Sequence, residues 1–378
     1  MPPLEQVFKG RRILVTGATG FLGKVFLAML LRWHPEIEKI YLLIRGDRRS
    51  SVGRYRREIL DSPAMAPVRA HLGAEFDAYV EEKIVVVPGD ITNAGLLGDE
   101  AKPFKSGSLD AVVHSAGLVN FEASLEKAVE VNTTGVANVI DFCTRTGAAL
   151  MHISTCYVAG IADGHRYEDE IPENWCPNGR KSFRLEREVR DALAAIARVE
   201  AESRDQVRHA EFRGDDDLEG AENPRESAIE HRRKQWVEER LKEVGRKRAQ
   251  SWGWPNTYSY TKSLGEQLVL AERERLNVTV VRPAVIESAL RDPFPGWNQG
   301  VNTSAPLTYL AGRGYRFYPA KAELVLDVIP VDLAAHAMIP ILGALLLRKQ
   351  KPVYQLCTSD RNPLPMRRLV ELTGLSNR

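Results

Sequence analysis

One stretch near the start limits the folds open to this chain more than any other: a glycine triplet set between a short apolar strand and an apolar helix. Arg12-Ile13-Leu14-Val15-Thr16 reads as a buried strand, and Gly17-Ala-Thr-Gly20-Phe-Leu-Gly23 follows it directly. Val25, Phe26, Met29, Leu30 and Leu31 then recur at helical spacing. Gly17 fits the tight turn, Gly20 the point where backbone amides approach a pyrophosphate, and Gly23 the close packing of helix on sheet. The helix N-terminus adds free N–H donors and a partial positive charge. The order strand, loop, helix predicts a dinucleotide site on an α/β fold, a doubly wound parallel Rossmann-type sheet.

Later strands fit the same plan. Lys39 to Ile44 ends in Arg45, at the position where a site for an unphosphorylated dinucleotide places Asp or Glu on the ribose 2′-hydroxyl. A planar guanidinium suits a 2′-phosphate instead, so the cofactor expected is NADPH. Arg48 and Arg49 either assist or form a solvated loop. Lys83 to Ile91 would bring Asp90 near the adenine, and Ala111 to Gly117 would lay small residues under the cofactor.

A second pattern carries chemistry. Tyr258 and Lys262 stand four residues apart in Trp254-Pro-Asn-Thr-Tyr-Ser-Tyr-Thr-Lys262, which puts both on one helical face. A phenol ionises near pH ~10, and an adjacent ammonium is expected to bring that value toward the working range. Such a pair passes a proton to a carbonyl oxygen while hydride arrives at carbon.

Four segments are expected. Residues 1–164 form the first part of the NADP-binding domain, and 165–251 form a charged helical insertion. Residues 252–290 complete the domain with the Tyr/Lys helix and last strand, and 291–378 form a smaller substrate-side region. In the insertion, Leu185, Val189, Leu193, Ile196 and Val199 mark one helix; Ile229, Trp236, Val237, Leu241 and Val244 mark another. Gly214 to Gly220 between them reads as an acidic loop. The insertion is either a solvated excursion or a cap or docking arm near the substrate mouth, its helices forming one wall of an acyl groove. Past it, Pro293-Phe-Pro-Gly-Trp297 and the aromatic Tyr309, Tyr315, Phe317 and Tyr318 read as substrate-side loops.

A formal net charge of +2 over 378 residues, with no basic arm, predicts no general attraction to nucleic acid. Cys143, Cys156, Cys176 and Cys357 show neither metal spacing nor a disulfide framework, which suits a reducing cytoplasmic compartment. Ala337 to Leu347 is too short to span a bilayer and reads as a buried helix, while peripheral membrane contact stays open.

Together, Thr16 to Gly23, Gly89-Asp-Ile-Thr92, His152-Ile-Ser-Thr155-Cys-Tyr-Val158, Tyr258 to Lys262 and Arg282-Pro283 resemble the extended short-chain dehydrogenase/reductases. Within that superfamily, several strings are similar to the fatty acyl-CoA reductases: Tyr41 to Arg45, His114 to Phe121, Trp254 to Tyr258, Pro293 to Trp297, and Asp327-Val-Ile-Pro-Val-Asp332. The resemblance implies a cofactor held by Thr16, Gly17, Thr19, Gly20, Phe21, Leu22 and Gly23 of the loop. Arg45, Asp90 and Ile91 would follow on the adenosine side, and Ser115, Ala116, Gly117, Asn132, Pro283 and Val285 elsewhere along the cofactor. Tyr258 and Lys262 would touch it as well.

It further implies Thr155, Tyr258 and Lys262 as the catalytic group, with no metal. Asn132 would support the lysine through water, or else serve as a helix N-cap. Cys156 is expected to be buried packing, turned away from Thr155. The implied reaction is NADPH-dependent reduction of long-chain acyl-CoA to aldehyde and on to alcohol. Other readings are a terminal reductase of chains on an acyl carrier protein, a nucleotide-sugar epimerase or dehydratase, and a non-enzymatic cofactor sensor.

Overall fold

Period-two alternation along the strands decides the layers. In β1 (Arg12–Thr16), Ile13 and Val15 enter one apolar cluster and Leu14 the other. In the strand Ala149–Ile153, Met151 and Ile153 again divide from Leu150. A strand apolar on both faces must be covered on both, and a parallel sheet between helices does that. The computed structural model describes residues 2–98, 104–161, 164–170, 173–213, 224–300, 305–315 and 320–376.

The other strands of the main sheet are β2 (Lys39–Ile44), β3 (Ile84–Pro88), β4 (Ala111–His114), β5 (Ala149–Ile153), β6 (Val278–Pro283) and β7 (Val353–Leu356). Their order is β7-β6-β5-β4-β1-β2-β3, every neighbouring pair parallel. The helices that matter for the site are α1 (Phe21–Trp33), α2 (Gly135–Thr146), α3 (Leu185–Glu202), α4 (Pro224–Trp252), α5 (Thr257–Ala271) and α6 (Val331–Leu346). Apolar residues of α1 and α6 fill one side, and those of α2 and α5 the other. Winding reverses between β1 and β4, so a crevice opens beyond their carboxyl ends.

The chain returns to this sheet late. Although 291–378 was expected as one substrate-side region, α6 packs across α1 and β7 is the edge strand beside β6. The apolar run Ala337 to Leu347 lies almost wholly in α6, buried as anticipated. What stays apart are two small strand pairs, Val285–Glu287 with Val328–Pro330 and Val325–Leu326 with Leu364–Pro365.

Both insertion helices form, with a short helix Gln206–Arg213 between them that apolar spacing did not reveal. Leu193 breaks the predicted stripe, since it falls on the outer side of α3 and is exposed. Leu185 and Ala192 of α3 and Ala249 of α4 bury against Leu125, Trp254, Tyr260 and Leu264. Val199, Val237 and Leu241 close a further cluster. The apolar residues of α3 and α4 in these clusters are thus committed to each other and to α5. The acidic stretch Gly214 to Gly220 lies outside the described residues.

Candidate active site

The glycine loop is shaped by collisions that a side chain would make. Gly17 has φ +75°, and a Cβ there would lie 2.5 Å from the Ala116 backbone nitrogen. At Gly23 a Cβ would lie 2.3 Å from the Gly17 carbonyl oxygen, so this glycine makes room for the loop's own first turn. Gly20 donates its N–H to Gly17 O at 3.0 Å and stands as the N-cap of α1. The result is a backbone cradle at a helix N-terminus, lying against Ser115 and Ala116, and it fits a dinucleotide pyrophosphate. Thr16 and Leu22 are turned inward. The Thr16 hydroxyl bonds His114 Nδ1 at 2.8 Å and accepts from Ala116 N–H at 3.2 Å, stitching β1 to β4 rather than facing the crevice.

Arg45 follows β2 directly and is 72% exposed, with Nε 3.9 Å from Asp90 Oδ2 across the next strand end. Asp90 Oδ1 accepts from Thr92 N–H, and Ile91 is buried. Asn132 is no N-cap. It lies within a π-helical turn, Glu130–Thr134, where its amide accepts from Leu118 N–H at 2.9 Å and donates to Leu118 O at 3.1 Å. The same amide nitrogen reaches Thr261 Oγ1 at 3.3 Å, so one buried side chain ties the loop after β4 to α5. Pro283 ends β6, and Val285 pairs with Val328.

Thr155, Tyr258 and Lys262 come together, all buried. Asn256 caps α5 by accepting from Ser259 N–H, which fixes where Tyr258 begins the helix. Burial pushes the Tyr258 phenol up to about 12, and a hydrogen bond with Thr155 partly offsets the rise. The expected depression by lysine is not what the phenol experiences: burial dominates its shift, and the lowering influence beside it is the Thr155 hydroxyl. Lys262 donates to Ile153 O at 2.7 Å, and burial draws it down to about 8 against a raising influence from Glu266. A phenol that keeps its proton beside a lysine close to losing its own is an acid with an adjustable cation.

Several contacts were not legible as site features. His114 and His152 are fully buried neighbours on β4 and β5, rings 5.2 Å apart, and burial with Lys262 nearby draws His114 down to about 3. Glu266, one turn past Lys262, forms a buried ion pair with Arg282 of β6. Asp332 accepts from the N–H groups of Leu290, Arg291 and Asp292, and Trp297 is buried with its ring 5.3 Å from that of Phe21. Two of the strings behind the resemblance, Pro293 to Trp297 and Asp327 to Asp332, thus brace one loop against the glycine loop. Among the aromatic residues anticipated on the substrate side, Phe294, Tyr309 and Tyr315 are exposed; Phe317 and Tyr318 lie outside the described residues. Cys156 begins a 3-10 turn rather than continuing the strand, so strand alternation does not separate it from Thr155. Burial raises its thiol to about 12, which keeps it a poor nucleophile. No helix among the described residues is long and apolar enough to cross a membrane.

Comparison with known proteins places this geometry. The family model described as male sterility protein matches residues 15–338. "Probable fatty acyl-CoA reductase 4" of Arabidopsis thaliana is 31% identical over 378 residues, covering 98% of this chain and 71% of that protein. "Alcohol-forming fatty acyl-CoA reductase" of Simmondsia chinensis is 31% identical over 381 residues, covering 98% and 71%. Among solved structures, the terminal R domain from the myxalamid PKS-NRPS biosynthetic pathway superposes with TM-score 0.61 at 21% identity, over 97% of this chain and 70% of that one. That likeness is one of fold.

Proposed function

This chain belongs to the male sterility protein family of fatty acyl-CoA reductases, and from that premise we propose that it reduces long-chain acyl-CoA with NADPH, to aldehyde and then alcohol. The observation that carries the reading is the buried Thr155–Tyr258–Lys262 group beside a glycine cradle in which Gly17 and Gly23 leave no room for a side chain. A reduced dinucleotide with its pyrophosphate in that cradle would supply hydride to the thioester carbon. Tyr258 and Thr155 hold the developing oxyanion, and the phenol, kept protonated by burial, is the proton donor. Lys262 supplies positive charge beside the phenol, steadied by Glu266. Collapse of the tetrahedral adduct breaks the carbon–sulfur bond and releases the CoA thiolate with the aldehyde. After the oxidised cofactor leaves, a second NADPH would supply the hydride that, with the Tyr258 proton, gives the alcohol, and the phenolate takes its proton back from water. Arg45, open at the end of β2, favours a 2′-phosphate.

The experiment is NADPH oxidation with palmitoyl-CoA, a fatty aldehyde and a nucleotide sugar in parallel, with products identified. Turnover of the first two is expected. Turnover of the sugar alone would overturn the reading.

A further inference from the structure

With the clustered apolar residues of α3 and α4 committed to each other and to α5, open apolar surface beside Tyr258 comes from two other loops. Phe121, in the loop after β4, has its ring 5.4 Å from that of Tyr258 and 6.3 Å from that of Tyr157, in the loop after β5. Phe121 is 53% exposed although the phenol it faces is buried. Val119 and Ile161, on the same two loops, are 75% and 70% exposed. An exposed aromatic pair set against a buried reactive phenol marks a binding surface rather than scattered exposure. The first loop is also anchored: Asn132 grips both the N–H and the carbonyl of Leu118, three residues before Phe121, and reaches Thr261 on the helix that carries Tyr258.

We propose that Phe121 and Tyr157 form an aromatic clamp that seats the acyl chain next to its thioester, making Phe121 a chain-recognising residue. The inference rests on the thioester-reductase reading above. The occupant is the alkyl chain and not the pantetheine arm. The arm carries amides that need hydrogen-bond partners, and ring faces supply almost none. An alkyl segment laid over the rings loses only apolar hydration and shields the reacting carbonyl from water.

The test compares acyl-CoA substrates from acetyl to palmitoyl on the wild type, Phe121→Ala and Phe121→Leu. Each methylene taken from water is worth about fourfold in affinity. Phe121→Ala should therefore cut kcat/KM for palmitoyl-CoA by about tenfold or more, and for acetyl-CoA by less than about threefold. Phe121→Leu should recover part of the loss, with cofactor affinity and melting temperature unchanged in both. Equal losses at every length, or none at any, would overturn the clamp. Calorimetric binding of the same series reads the clamp without turnover. A wild type that binds chains by length but never reduces them overturns the reductase reading alone, and the variant's binding slope still decides the clamp.

Discussion

Two buried residues with opposite shifts decide how activity should depend on pH. Lys262 loses its proton as pH rises through about 8, whereas burial holds Tyr258 protonated to about 12. Turnover is thus expected to be full below the lysine's value and to fall above it, with Lys262 as the origin. Lys262→Arg keeps its charge at all working pH, so it should lower turnover yet move the alkaline limb upward. A limb that stays in place would remove Lys262 from that role. The same shift has a stability consequence of opposite sign. Between about 8 and the ordinary lysine value of 10.5 the unfolded chain binds more protons, so stability gains as pH rises across that window. Tyr258→Phe should leave cofactor affinity intact and cost about two to four decades of turnover, read in single-turnover kinetics. Near wild-type turnover would refute the acid. Arg45→Asp should weaken NADPH by about ten- to a hundredfold and spare NADH, because a charged hydrogen bond to the 2′-phosphate is worth about 1.5–3 kcal/mol. Equal losses for both cofactors would place Arg45 elsewhere.

At the scale of elements, α5 is held by what its glycine lacks. A Cβ on Gly265 would sit 2.1 Å from the Asn132 carbonyl oxygen, on the turn that also clamps Leu118. Gly265→Ala should push helix and turn apart, costing about 1–3 kcal/mol of stability and displacing Lys262 one turn away. Gly374→Ala, in a helix with nothing within 4 Å, should be neutral or stabilising and serves as the control. Similar melting temperatures in the two variants would show that the contact yields freely. The contrast also explains what could be read in advance. Strand ends at Thr16 and Ile44, the glycine loop and the Tyr/Lys helix follow from local periodicity and turn chemistry, and they appear where expected. Residues that act across the sequence left no local mark. Asn132 reaching Leu118, Glu266 reaching Arg282 and Phe121 reaching Tyr258 each join segments that only the folded sheet brings together. The lysine's expected hold on the phenol failed for a related reason, since sequence spacing reports charge proximity but not desolvation.

Across the whole molecule, the insertion bears on whether the acyl chain arrives on CoA or on a carrier protein. Its core is continuous with the catalytic helix: Tyr260 of α5 and Arg248 of α4 both meet the buried Glu188 of α3. It is therefore part of the body of the domain rather than a detachable docking arm. Its outer face pairs opposite charges along each helix, as in Arg187–Asp191, Arg240–Glu243, Lys242–Glu239 and Lys247–Glu243. Among the described residues, charges so interspersed cancel beyond about a Debye length, roughly 10 Å at 0.1 M salt, and create no single-sign field to steer an acidic carrier. The expected outcome is a kcat/KM for palmitoyl-CoA at least equal to that for the same chain on an acyl carrier protein. The carrier's value should also change by less than about threefold from low to high salt. A carrier substrate favoured by tenfold or more, with a steep loss in salt, would show a docking surface on this face and turn the assignment toward carrier-bound thioesters.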